Sequence, residues 1–197
     1  MYIFESTRPT GSVTYGSLLE ATRRLVDAVA SVSATTESED VVRTSTANIL
    51  STCATLEAHS VDSSLSSAGN RRDLPGRGHP TLPPILIEDE STEHTSGRIT
   101  FRRAHVAGGI AAHGGTVSLL FDEMLGTLAA RGRDRSRTAY LHVNYRRITP
   151  IDVELRFEGR IDRSEDRKIF AEGRLLQGSD VLADAEALFV VLRPDQP

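Results

Sequence analysis

His113-Gly114-Gly115 lies nine positions ahead of a carboxylate pair, Asp122-Glu123, with the apolar run Val117-Ser118-Leu119-Leu120-Phe121 between them. Two glycines let backbone N–H groups come close to a ligand, and a helix that starts there turns its unsatisfied amides and positive dipole end toward negative charge. The spacing therefore points to an anion, or a developing oxyanion, held at a helix start. Water is a weak nucleophile at neutral pH, so a hydrolytic site also needs a group that takes water's proton or attacks in its place, and a carboxylate can do either. Asp122 and Glu123 flank the apolar stripe on opposite sides, and periodicity does not say which of them is buried. A solvated helix face carries such a pair equally well, and Gly114-Gly115 serves equally as a tight strand-to-helix turn.

Positioning these groups requires a helix that is itself enclosed. Apolar residues at 117, 120, 121, 124, 125 and 128, with Leu119 on the far side, predict a buried helix from His113 to about Ala130. Strand-like runs surround it: Arg98 to His105 before, then Thr138 to Arg147, Val153 to Asp162, Lys168 to Leu176 and Val181 to Val191 after. Short turns at Glu165-Asp166-Arg167 and Gly178-Ser179-Asp180 join the last three runs as hairpins, which gives a meander. One long apolar helix and an antiparallel meander bury each other only if the sheet curls around the helix, so the fold class is α+β with a wrapped sheet. Upstream, Ser17-Leu18-Leu19-Glu20 and Thr36-Glu37-Ser38-Glu39 read as capping boxes that open two helices, a helical hairpin. The chain divides into a hairpin extension over 1–59, a linker or flap rich in Ser, Gly, Pro and Arg over 60–84, and the wrapped-sheet domain over 85–197.

Composition removes several functions. At 197 residues and 39% hydrophobic content the chain can form one real core. A net charge of −4 and a pI near 5.9 argue against non-specific nucleic-acid binding, so any anionic ligand must meet local arginines. Cys53 is the lone cysteine, which excludes an intramolecular disulfide; it reads as a small buried hydrophobe. The histidines have no metal-site spacing, and no metal is expected. No run approaches the length of a membrane span and the start has no basic leader, so a cytoplasmic location is expected.

From about Phe101 to Leu192 the chain resembles the thioesterase superfamily of the hotdog fold, in particular PaaI-like acyl-CoA thioesterases of the carboxyl-terminal modulator protein type. The resemblance rests on His113-Gly114-Gly115, on Asp122, on the run Thr138-Ala139-Tyr140-Leu141-His142-Val143-Asn144-Tyr145-Arg146-Arg147, on Arg167-Lys168-Ile169-Phe170, and on the closing run from Ala183 to Val190. One position departs: many PaaI-like enzymes have asparagine six residues before the histidine, where this chain has Ala107.

The resemblance implies acyl-CoA hydrolysis, in fatty-acid or related acyl metabolism, with coenzyme A as part of the substrate and no separate cofactor. It implies that the Gly114 N–H, with Gly115 beside it, polarises the thioester carbonyl, that Asp122 activates water or acts as nucleophile, that Thr138 helps hold that water, and that His113 shapes the turn. Gly114 and Asp122 are roughly 12 Å apart along one helix at about 1.5 Å per residue, too far to grip one thioester. A two-fold homodimer, or a dimer of dimers, would bring the two ends together from facing helices. Arg146-Arg147 and Arg167-Lys168 are the candidates for the coenzyme phosphates, because arginine forks match phosphate oxygens. Two other readings stand beside this one: a hotdog hydratase or dehydratase on acyl thioesters, and a non-catalytic acyl-CoA-binding module.

Overall fold

The computed structural model describes residues 13–33, 35, 38–107 and 109–193. Two helices come first, α1 (Val13–Val29) and α2 (Glu39–Glu57), followed by a strap of irregular chain with one 3-10 turn at Pro75–Gly78. The body is β1 (Leu86–Glu90), β2 (His94–Thr100), α3 (Gly114–Ala130), β3 (Ser136–Tyr145), β4 (Glu154–Glu165), β5 (Lys168–Gln177) and β6 (Asp180–Val191). All six strands form one antiparallel sheet in the order β1-β2-β4-β5-β6-β3. The fold is the hotdog arrangement, with the sheet wrapped around α3.

That helix is buried by the residues whose period announced it. Val117, Leu120, Phe121, Met124, Leu125 and Leu128 are all enclosed, the first five in one cluster with Ile99, Phe101, Leu155, Phe157, Leu175 and Phe189. Each large apolar side chain so enclosed contributes about 1.5–3 kcal/mol. The opposite side of α3, including Leu119 and Asp122, is only half-buried in the single chain.

Several expectations need correction. The strands are not a simple meander: only β4-β5-β6 run as consecutive hairpins, and β3 crosses to pair with β6 at the far edge of the sheet. The first strand lies at His94–Thr100, while Arg103–His105 folds into a 3-10 turn; β1, too charged over Glu88-Asp89-Glu90 to read as a strand, supplies the opposite edge. Ser17 sits inside α1, which starts at Val13, so it caps nothing. For the second capping box, Thr36 and Glu37 lie outside the described residues, and the Ser38 side chain makes no cap to α2. Cys53 is exposed rather than buried, because α2 buries none of its residues.

Truncating Phe121, which is fully enclosed at the centre of α3, should cost about 3–5 kcal/mol, read as a lowered midpoint of denaturant unfolding in Phe121→Ala.

Candidate active site

The start of α3 is built by its N-cap. His113 has extended backbone (φ −63°, ψ 135°), and its Nδ1 accepts the Gly115 N–H at 2.9 Å. That bond uses the amide of Gly115, while the Gly114 N–H, at the first helical position, has no acceptor among the described residues. The turn is held from outside: the His113 N–H donates to the His105 carbonyl at 2.7 Å, and the Ala112 N–H to the Thr149 carbonyl at 2.9 Å. Ala107, the position of the departure from the family pattern, lies in the preceding loop, where its N–H bonds the Ala111 carbonyl at 3.2 Å.

At the middle of the helix the two carboxylates have separate partners. Thr138 Oγ1 donates to Asp122 Oδ1 at 2.9 Å, at the start of β3. Glu123 is held by both arms of the Arg77 guanidinium, which reaches in from the strap, and its side chain is only 9% exposed. The question that periodicity left open is thus answered by surroundings: the more enclosed carboxylate is Glu123, paired with an arginine, and Asp122 is the one held only by the Thr138 hydroxyl.

Strand β3 touches α3 at its start and at its middle. The Tyr145 hydroxyl donates to the Gly114 carbonyl at 2.9 Å and lies 2.7 Å from Ser118 Oγ. Alternation alone would put Thr138 and Tyr145, an odd number of positions apart, on opposite faces of the strand. A bulge at Ala139 resets the phase, since Thr138 pairs with Phe189 and Tyr140 with Leu188, and both ends of the strand face α3. Tyr145 was not singled out from sequence, and neither was Arg77; the bulge and the strap leave no local signal that would have found them.

A groove of about 410 Å³ opens beside Asp122 and Thr138, with Arg72, Arg77, Arg135 and Arg137 among its walls. Arg146 and Arg147 stand at the other end of β3 and are engaged in ion pairs, with Asp184 at 2.5 Å and with Asp180 at 2.7 Å. The Arg146 guanidinium holds the Asp184 carboxyl below the ordinary aspartate range. Arg167 and Lys168 lie in the turn from β4 to β5, at the end of the sheet where Lys168 pairs with Val190 and Val190 with Arg137, near Thr138. Among the described residues no group of three or more His, Cys, Asp or Glu is placed to hold a metal.

His105, whose carbonyl fixes the His113 amide, also accepts the Arg102 N–H on Nδ1 at 2.8 Å. Burial pushes its imidazole below the ordinary histidine value, against the opposing pull of Asp27. Between the folded value and the unfolded value near 6.5 the unfolded chain binds the extra proton, so stability rises with pH there. Unfolding midpoints should fall as pH drops below about 6.5 and level off once the folded ring is protonated. That slope should shrink in His105→Gln.

No family model matches the chain, nor does any curated protein. Solved structures do. A thioesterase superfamily protein superposes with a TM-score of 0.76 at 26% identity, over 93% of this chain and 97% of that one. A phenylacetic acid degradation-related protein of Ralstonia eutropha matches at TM-score 0.51 and 18% identity, over 54% of this chain and 84% of its own. A Streptococcus mutans protein bound to acetyl CoA matches at TM-score 0.53 and 16% identity, over 55% and 88%. The chain therefore has the hotdog fold of these proteins, and its likeness to the first, a thioesterase superfamily protein, runs along nearly its whole length.

Proposed function

We propose that this chain is an acyl-CoA thioesterase working as a two-fold dimer, with each site shared between two copies. The observation that carries the reading is the pair of contacts at the two ends of β3, Thr138 to Asp122 and Tyr145 to Gly114, each at 2.9 Å. β3 is a ten-residue strand at the edge of the sheet, where unpaired N–H and C=O groups invite another strand. Antiparallel pairing of two β3 strands about an axis near Leu141 or His142 sets Thr138 of one copy within about one residue of Tyr145 of the other. The free Gly114 amide of one copy then lies beside Asp122 of its mate, which a single helix cannot achieve. The half-buried side of α3 with Leu119 faces the same way and would be covered by the same contact.

In such a site the Gly114 N–H and the start of α3 polarise the thioester carbonyl. Thr138 occupies one oxygen of the Asp122 carboxylate and orients it, leaving Oδ2 to take a proton from water. The resulting hydroxide equivalent adds to the carbonyl carbon, the oxyanion is held by the Gly114 amide, and collapse breaks the C–S bond. The departing thiolate recovers the proton from Asp122, giving a free acid and a thiol. Glu123 takes no part, being committed to Arg77. The Streptococcus mutans neighbour's acetyl CoA supports the substrate class.

Thiol release from a panel of acyl-CoA thioesters tests the reading, and Asp122→Asn should lower turnover at least about a hundredfold. Gly114→Pro removes the amide at a helix position that tolerates proline, and the extended His113 suits a following proline, so the loss should be about 10²–10³ with the helix intact. Mixing the two inactive variants as randomly exchanged subunits should restore about a quarter of wild-type activity, since half of the dimers regain one of two sites. No recovery in demonstrably exchanged dimers would place both groups in one chain; undiminished activity of Asp122→Asn would remove the mechanism.

A further inference from the structure

The extension ahead of the sheet is tied into the site. α1 is bound to the body through Arg102, which pairs with Glu20 at 2.9 Å and Asp27 at 3.4 Å, and through Asp27, which accepts the Ala104 N–H at 2.9 Å. α1 in turn grips the strap: Arg23 donates to the carbonyls of Pro75 and His79 at 2.9 and 3.0 Å, and the Tyr15 hydroxyl to that of Gly78 at 2.9 Å. The strap turns sharply there, with Gly76, Arg77 and Gly78 all at positive φ (60°, 54° and 71°). At Gly76 a Cβ would come within 2.7 Å of the Pro83 carbonyl oxygen. This fixed turn puts Arg77 on Glu123 and Arg72 on the wall of the groove that holds Asp122.

Arg72 shares that wall with Arg135, just before β3, and Arg137, next to Thr138 on β3. The start of that strand is itself held, the Arg135 carbonyl accepting the Leu192 N–H at 2.8 Å. None of the three guanidiniums has a carboxylate partner among the described residues, whereas Arg146, Arg147, Arg160 and Arg163 each have one within 2.9 Å. Counting Arg77, four arginines face two carboxylates in this groove, a local surplus of positive charge on a chain of net charge −4. Like charges gathered on held backbone suit a ligand with several negative oxygens, because the segments that carry them need not be brought together when the ligand arrives.

We propose that Arg72 of the strap, with Arg135 and Arg137 of the β3 edge, forms the subsite for the phosphate groups of the coenzyme portion of the substrate, so that the N-terminal extension is a working part of the active site. The proposal rests on the thioesterase reading and adds its residues. It also gives the extension a purpose: the smaller neighbours match only 54–55% of this chain, a share the sheet and α3 alone would fill, whereas the full-length match includes nearly all of it.

Calorimetric titration of the full-length protein with coenzyme A, with adenosine 3′,5′-bisphosphate and with inorganic phosphate tests it. Arg72→Ala, and separately the pair Arg135→Ala with Arg137→Ala, should each weaken coenzyme A and the bisphosphate by about ten- to a hundredfold, while Arg160→Ala, an ion-paired arginine elsewhere on the sheet, should leave both unchanged. Inorganic phosphate should bind the wild type far more weakly than either nucleotide. The same variants should lose the preference for acyl-CoA over the phosphate-free acyl-pantetheine, a ratio that a merely structural role would not move. Wild-type affinity for coenzyme A in both sets of variants, or inorganic phosphate bound as tightly as the nucleotides, overturns the subsite. Hydrolysis is read separately with acyl-pantetheine. If that thioester is cleaved while the arginine variants bind coenzyme A normally, the subsite fails and the thioesterase reading stands; if the variants lose coenzyme A but no thioester is cleaved, the reverse holds.

Discussion

Gly173 lies so close beneath α3 that a Cβ there would come within 2.5 Å of the Met124 Cε, and a Cβ at Gly159 would meet the same atom at 3.1 Å. With Ala171, Ala183, Ala185 and Ala187 buried in the same core, the middle of the sheet is a floor of small residues on which one large-sided helix rests. Close packing of this kind does not slide, because moving the helix along its axis would set Phe121 and Met124 against positions with no room for them. The helix is thereby fixed in rotation and in height, and every contact of the site inherits that placement. Gly114 can meet Tyr145, and Asp122 can meet Thr138, only while the floor holds the helix against β3.

Two adjacent carboxylates take opposite roles through what each meets. Glu123 is enclosed and held by both arms of a guanidinium, which fixes its carboxylate against the strap. Asp122, one position before, accepts a single neutral hydroxyl and otherwise faces the groove. The strap is what separates them, because its Arg77 pairs with Glu123 and not with Asp122. A segment that contributes little to the hydrophobic core therefore shapes the electrostatics of the centre.

The site also explains an asymmetry of the sheet. The β1 edge is short and charged, with Glu88, Asp89 and Glu90 in five residues, and such edges resist further pairing. The β3 edge is twice as long, alternates inward Leu141, Val143 and Tyr145 with outward residues, and carries both halves of the chemistry. The outer side of α3 is left half-covered beside that edge, so one subunit contact would complete the sheet and the helix burial together.

How much of this could be read in advance follows the range of the forces involved. The period of α3, its start at His113, the α+β class and the two hairpins are legible because they depend on neighbours within a few positions and on the alternation of polar and apolar residues. The candidate residues Gly114, Asp122 and Thr138 were likewise visible, although their roles came from family likeness. What local pattern could not decide was the crossing of β3 to the edge beside β6, the bulge at Ala139 that turns Thr138 and Tyr145 to the same face, and the choice of Asp122 over Glu123. Nor could it show that Arg146 and Arg147 are occupied by Asp184 and Asp180 while a strap arginine some fifty positions before Asp122 reaches the groove. Those outcomes belong to tertiary structure, because partners far apart in the chain compete for each charge and each edge, and only packing says which of them meet.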